Sequence, residues 1–339
     1  MSDYLGSGSY GTVTLHPTDK TRCIKTVKPP YLKQSQITTR QAVLDTIDPP
    51  DKENKRKYFG GKIVDKTLRQ GTNEITKFQM VLQGQSLEKV AMTPSTLDKL
   101  KKSFLNLLEG LCLLSLHKYS HNDIKKENIT YDDASGVLKF IDHDLFLTKF
   151  KTNPLWYFYY PYAPELWPSN RYNYSNITAF NRYMKNSRFF TDKDVADFLK
   201  IMSFSDVSRL TLRLPIHWWI KELLDYLRDK SKHDDYSKTD VYSLGLVALQ
   251  LFYDHVPELR PVIDKMIHPD PSKRCTAKEA YDMWKRILAE GIDTKPPTKL
   301  IFGTKAQLPP PGADTIAIPG GSSGVVAMHP FHLAIMSFI

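Results

Sequence analysis

The chain has 339 residues, enough for one large domain or two modest ones around a substantial core. Its 41% hydrophobic and 25% charged residues are ordinary for a soluble globular protein. A formal charge of +10, from 47 basic and 37 acidic side chains, favours anionic partners: nucleotides, nucleic acid, acidic proteins or anionic lipid.

The cysteines, Cys23, Cys112 and Cys275, lie far apart, and no pair has metal-ligand spacing. They fit a reducing compartment, and an intracellular, cytoplasmic location is expected. The Asn-x-Ser/Thr triplets at Asn128, Asn173 and Asn176 then read as chance matches. Met1-Ser2-Asp3-Tyr4 starts no basic-then-apolar run, so no signal peptide is expected. No stretch reaches the roughly 20 apolar residues of a membrane helix, and no membrane partner is expected.

In chain order, residues 10–15 and 21–27 alternate polar and β-branched side chains. They predict two strands joined by a turn around Thr18-Asp19-Lys20. Leu5 and Gly6-Ser7-Gly8-Ser9-Tyr10-Gly11-Thr12-Val13 lead into the first of them. Glycines here let a tight turn bring backbone N–H groups close to phosphate oxygens. Alone the motif is weak. A dinucleotide fold would place a strand before it and a helix after it; here β-branched residues follow, as in a hairpin lid over a nucleotide. Lys25 comes 14 residues after Gly11, where an inward-facing strand lysine is placed to hold α and β phosphates. A charged, poorly patterned stretch covers residues 28–57, and further strands are predicted at 61–66 and 75–82.

From residue 97 to 116 the pattern becomes helical, with Leu100, Phe104, Leu107, Leu108, Leu111 and Leu114 at three- and four-residue steps. Strands first and helices afterwards predict an α+β protein of two lobes, divided near Gln83-Gly84-Gln85. Then comes His121-Asn122-Asp123-Ile124-Lys125-Lys126-Glu127-Asn128, the most specific signal in the chain. Moving a phosphoryl group needs a carboxylate for the attacking hydroxyl, a cation beside the moving charge and an amide oxygen for a metal. Asp123, Lys125 and Asn128 supply these types. An apolar strand then ends at Asp142, 14 residues past Asn128, where a carboxylate is placed to share magnesium with phosphates. Residues 291–339, rich in proline and glycine, read as a flexible tail.

At this point the chain resembles the eukaryotic protein kinase superfamily, over about residues 5–290. Six motifs carry the resemblance. They are the glycine-rich run from Leu5 to Val13, Lys25, the Asp-x-Lys-x-x-Asn loop of Asp123, Ala163-Pro164-Glu165, Asp240-Val241-Tyr242-Ser243-Leu244-Gly245, and Pro269-Asp270-Pro271-Ser272-Lys273-Arg274-Cys275-Thr276-Ala277. The resemblance implies a two-lobed kinase fold: a small β-rich lobe at 1–84 and a larger helical lobe at 85–290, with an insert at about 169–235. It implies ATP and Mg2+ as cofactors. Leu5, Gly6, Ser7, Gly8, Ser9, Tyr10, Gly11, Thr12, Val13 and Lys25 would bind ATP, Asn128 and Asp142 the metal, and Asp123 and Lys125 would be catalytic. The loop's Asp-x-Lys-x-x-Asn form is that of serine/threonine kinases, and Arg274 is expected to pair with Glu165. Residues from Met80 to Glu88 are similar to the hinge of casein-kinase-one-like enzymes, with Met80 as gatekeeper. The reduced architecture is similar to kinases of large DNA viruses, for which the location would be host cytoplasm or virion.

Four departures stand out. Asp142-His143-Asp144 replaces the family's Asp-Phe-Gly. Asn122 stands where many kinases carry an arginine that reads an activation-loop phosphate, which implies constitutive activity without phosphorylation of Thr148 or Thr152. The helix glutamate that orients the lysine is not obvious; Asp45, Asp48 and Glu53 are the candidates. The insert is rich in Tyr, Phe, Arg and Lys; it is expected to replace missing packing, although its aromatics also permit nucleic acid. The expectation is a monomeric serine/threonine kinase acting on a protein substrate, an acidic one fitting the net charge. The alternative is a pseudokinase, a kinase-shaped binding module.

Overall fold

The computed structural model describes residues 3–8, 11–29, 31–53, 55–142, 147–149, 163–166, 218–219, 222–223, 225–226 and 235–290. Ser9, Tyr10, His143, Asp144, Thr152, the aromatic run at 156–160, most of the insert and the tail lie outside them.

Tyr4–Gly8 (β1) and Gly11–Leu15 (β2) form an antiparallel hairpin, and Arg22–Val27 (β3) lies beside β2. Threonine, valine and isoleucine dominate these segments, and their branched side chains suit a pleated surface. β3 next pairs with Glu74–Val81 (β6), whose other edge takes Ile63–Leu68 (β5). Leu32–Lys33 (β4) meets the start of β6. Beneath this sheet Val27, Ile37, Ile75 and Phe78 form a small core.

The poorly patterned stretch at 28–57 holds a 14-residue helix, Gln34–Ile47 (α1), that its sequence does not announce. Only Ile37, Leu44 and Ile47 are buried along it, an apolar stripe too thin to show as periodicity. Lys33 occupies the N-cap, where Ser, Thr, Asp or Asn would have signalled a start.

The second lobe is built on Pro94–Leu116 (α2), which starts three residues before the predicted point. Thr93 caps it by accepting the Thr96 N–H at 3.1 Å, and Pro94 fits the first turn, where no N–H is needed. Thr239–Phe252 (α3) and Ala277–Glu290 (α5) pack against α2, and Arg260–Met266 (α4) packs against α3 and α5. α3 is buried almost all round, as a central helix must be. Trp284 of α5 stacks on Phe104 of α2 with ring centroids 4.5 Å apart, and its indole N–H donates to the Lys101 carbonyl. From the insert, Trp219 and Leu223 are fully buried in this core, and the Trp219 indole donates to the Ile267 carbonyl at 2.8 Å.

Two short sheets carry the functional loops. Ile129–Asp132 (β9) pairs with Val137–Phe140 (β10) and with Gln85–Ser86 (β7), just past the hinge. Tyr119–Ser120 (β8) pairs with Thr148–Lys149 (β11). At the hinge Gly84 has φ 76°, and a Cβ there would lie 2.3 Å from the Tyr131 carbonyl oxygen, so only glycine fits.

The connector between α1 and β5 precedes the hinge in sequence but packs with the helical lobe. Phe59 bridges to Phe140, Tyr58 accepts the Phe140 N–H, and Asn106 of α2 donates to the carbonyls of Lys57 and Leu138. Asp48 closes α1 onto this connector by accepting N–H bonds from Lys57, Tyr58 and Phe59 at 2.7–3.0 Å.

Candidate active site

The roof comes from β1–β3. Val13, Lys25 and Phe78 occupy one row across β2, β3 and β6. The glycines are not equivalent. A Cβ on Gly11 would lie 2.1 Å from the Thr26 carbonyl oxygen, so β2 approaches β3 too closely for a side chain. A Cβ on Gly6 would meet nothing within 4 Å, so Gly6 is not required by packing. Leu5 and Ser7 lie in β1, Gly8 at its end, and Thr12 and Val13 in β2. Lys89, just past the hinge, donates to the Leu5 carbonyl at 2.5 Å and ties the hairpin to the lower lobe.

The floor is the loop between β8 and β9. His121 and Asn122 donate their backbone N–H groups to the Asp240 carboxylate at 2.6 and 3.0 Å, which fixes the loop to the first turn of α3. The buried His121 ring donates from Nε2 to the Ile141 carbonyl at 3.0 Å and accepts the Asp123 N–H at Nδ1. One tautomer satisfies both bonds, and the ring joins this loop to the strand leading to Asp142. Asp123 is 6% exposed; its carboxylate accepts from Asn128 Nδ2 at 2.7 Å and from Lys125 Nζ at 3.1 Å. The three residues taken from the loop motif are thus in mutual contact. Asn128 spends its amide nitrogen on Asp123, which leaves the amide oxygen as its donor to a cation.

Asp142 follows Ile141, whose N–H donates to the Asn128 carbonyl at 2.9 Å. Its φ of 62° turns the chain sharply at the end of this strand. Lys25 donates to Asp142 Oδ1 across the cleft. Burial alone would raise the Asp142 pKa, but the charge and hydrogen bond of Lys25, helped by Lys125 and His121, hold it below the usual carboxylate range. Asn128 and Asp142 offer one amide and one carboxylate oxygen. Among the described residues no group of three or more His, Cys, Asp and Glu side chains is arranged to hold a metal. Two hard oxygen donors suit a magnesium ion that takes its remaining ligands from phosphates and water.

None of the three candidates for the missing glutamate touches Lys25. Asp45 accepts from Arg56 Nε and Nη2 at 3.1 and 2.7 Å, Asp48 caps the connector, and Glu53 pairs with Lys55 at the surface. Sequence reasoning also passed over His121 and Asp240 as functional positions, although the His-x-Asp spacing and the Asp at a helix start were available signals. Arg274 and Glu165 meet as expected, at 2.5 and 2.9 Å, fully buried. The other Arg274 donors go to the carbonyls of His268, Lys238 and Pro269, so the buried guanidinium has all five N–H groups satisfied.

A glycine hairpin over a strand lysine, a hinge, and a helical lobe presenting Asp123, Asn128 and Asp142 stand in the two-lobed order that the kinase resemblance implies. No family model matches the chain. Over 148 residues, 41% of this chain, it is 30% identical to the MAP kinase kinase kinase win1 of Schizosaccharomyces pombe; the match spans 10% of that protein's length. Among solved structures it is similar to the PknI kinase domain of Mycobacterium tuberculosis, at a TM-score of 0.44 and 13% identity, over 84% of this chain and 94% of that one. A second structure of the same domain gives a TM-score of 0.41 and 12% identity over the same shares. Among the described residues no helix is long and apolar enough to cross a membrane.

Proposed function

We propose that the chain transfers the terminal phosphoryl group of ATP to a serine or threonine hydroxyl of a protein. The observation that carries this reading is the contact cluster of Asp123, Lys125 and Asn128, set against the Lys25–Asp142 pair that spans the cleft. Asn128 and Lys125 hold the Asp123 carboxylate in place, ready to orient a hydroxyl and take its proton. Lys125 offsets charge building on the transferred group. Lys25 reaches into the cleft beneath the glycine hairpin and is placed to hold α and β phosphates. Asn128 and Asp142 would hold magnesium, which when bound neutralises phosphate charge. In the kinase resemblance a lysine two residues after the loop aspartate, here Lys125, marks the serine/threonine form, and an acidic protein fits the +10 charge.

One observation favours the pseudokinase reading: the carboxylates near α1 are committed to Arg56 and the connector, so none orients Lys25. Against it, the Lys25–Asp142 bond already fixes the lysine. Radiolabelled ATP, magnesium and a panel of acidic and basic proteins separate the two. Phosphoserine or phosphothreonine should form, and Asp123→Asn should cut the rate by about 10²–10⁴-fold while nucleotide affinity stays nearly unchanged. Tight nucleotide binding with no transfer to any protein would establish the binding module instead.

A further inference from the structure

We infer that Asn122 is a positioning residue, whose side-chain amide, bonded to the Thr148 hydroxyl, fastens the strand beyond Asp142 to the loop that carries Asp123. The inference rests on the phosphotransfer reading of that site. Asn122 is 4% exposed, and its backbone is fixed to α3 through the N–H bond to Asp240. Its φ of 65° lies in the left-handed region, which asparagine enters more readily than most residues.

From this fixed point Nδ2 donates to the Ser120 carbonyl at 3.0 Å and to Thr148 Oγ1 at 3.1 Å. Both amide hydrogens are therefore used. Ser120 and Thr148 are direct partners in the β8–β11 pair, so one buried amide spans both strands at the same row. A ladder of two residues a side is marginal by itself. A buried side-chain bond across it is then a large part of what holds β11. Leu147, next to Thr148, is buried in the main core and gives the strand a second anchor.

The location gives this bond its kinetic meaning. Asn122 immediately precedes Asp123, and Thr148 lies six residues beyond Asp142. The amide thus closes a short circuit through the base, the central helix and the segment leading from the metal-binding aspartate. An arginine in its place would need a phosphate to do the same. Here a neutral hydroxyl makes the link, and no phosphate takes part in it.

The test uses the full chain and three substitutions. Asn122→Gly removes the amide while tolerating positive φ. Thr148→Val keeps the shape and removes the hydroxyl, and Thr148→Ser keeps the hydroxyl. Asn122→Gly and Thr148→Val should each lower kcat roughly three- to ten-fold, the effect of one hydrogen bond, with KM for ATP unchanged. The double variant should be no slower than the worse single one, and Thr148→Ser should stay within about twofold of wild type. Amide hydrogen exchange at residues 147–149 should quicken in Asn122→Gly and Thr148→Val alike. Multiplying effects, serine behaving as valine, or a rise in KM alone would overturn the inference. If the wild-type chain transfers phosphate to no protein, the proposed function falls, and exchange alone decides the link. Faster exchange at 147–149 in Asn122→Gly then upholds it, and unchanged exchange refutes it.

Discussion

Among the described residues, the sheet of the small lobe closes over four buried core residues, Val27, Ile37, Ile75 and Phe78, while forty form one continuous cluster in and around the helical lobe. At about 1.5–3 kcal/mol for each large buried side chain, the small core contributes roughly a tenth as much. The small lobe stands because it borrows. Leu44 and Ile47 of α1, with Tyr58 and Phe59 of the connector, belong to the larger cluster although they precede the hinge in sequence. What separates the lobes is therefore packing, and the line runs through α1: Ile37 faces the sheet core and Leu44 the helical one.

The sharpest way to break this contrast is to attack the larger lobe at its buried ion pair. Glu165→Ala leaves the Arg274 charge buried without its carboxylate, and should cost about 3–5 kcal/mol. Urea denaturation followed by tryptophan fluorescence measures it, since Trp219 and Trp284 lie in the same cluster. A loss under 1 kcal/mol would mean that the three carbonyl bonds alone hold Arg274.

Asp45→Ala probes the borrowed anchor. It strips the buried Arg56 side chain of two hydrogen bonds and leaves the one to Gln41. Stability should fall by about 1–3 kcal/mol, and the phosphotransfer rate of the folded protein should change less than a few-fold. A rate collapse with stability intact would reassign Asp45 as the partner that orients Lys25.

Within the small lobe, Gly11→Ala should cost more than about 1 kcal/mol, because its Cβ collides with the Thr26 carbonyl. Gly6→Ala should stay within about 0.5 kcal/mol. Thermal melts of the two variants side by side give the answer, and equal losses would contradict the register of β2 on β3.

The smallest effect belongs to His268, where the insert meets the helical lobe. Burial lowers its pKa below 6.5, and nearby Lys273 and Arg274 lower it further, against Glu222 and Asp270, which raise it. Its Nδ1 also accepts the Asp270 N–H, a bond that protonation of that nitrogen would break. The unfolded chain therefore takes up a proton first as pH falls below about 6.5, and stability should decline from there down to the folded pKa. His268→Gln should flatten that slope in melting temperature between pH 7.5 and 5.5.

Contacts within the candidate site were legible where local spacing reports them. Asp123, Lys125 and Asn128 fall within six residues, so the turn that joins them is short and their contact is nearly forced. Glu165 and Arg274 were paired only through the family resemblance, since 109 residues separate them. α2 announced itself through a continuous apolar stripe. α1 did not, because it buries one residue against the sheet and two against the other lobe, and no single face carries the pattern. The fate of Asp45 was equally hidden: nothing near it in sequence says that Arg56 will be drawn inside and need a carboxylate. The link from Asn122 to Thr148 joins residues 26 apart through a strand pair too short to leave a periodic trace.

The connector's docking on β10 has a mechanical consequence. The lobes are joined covalently at Gly84 and non-covalently where Phe59 meets Phe140. Leu44 and Ile47 of α1 pack in the same larger cluster, so the small lobe is seated on the helical one along a seam and not at the hinge alone. The described part of the glycine hairpin lies at the free edge of the sheet, where Lys89 bonds to the Leu5 carbonyl. Opening the cleft must therefore shear a packed seam as well as bend the hinge.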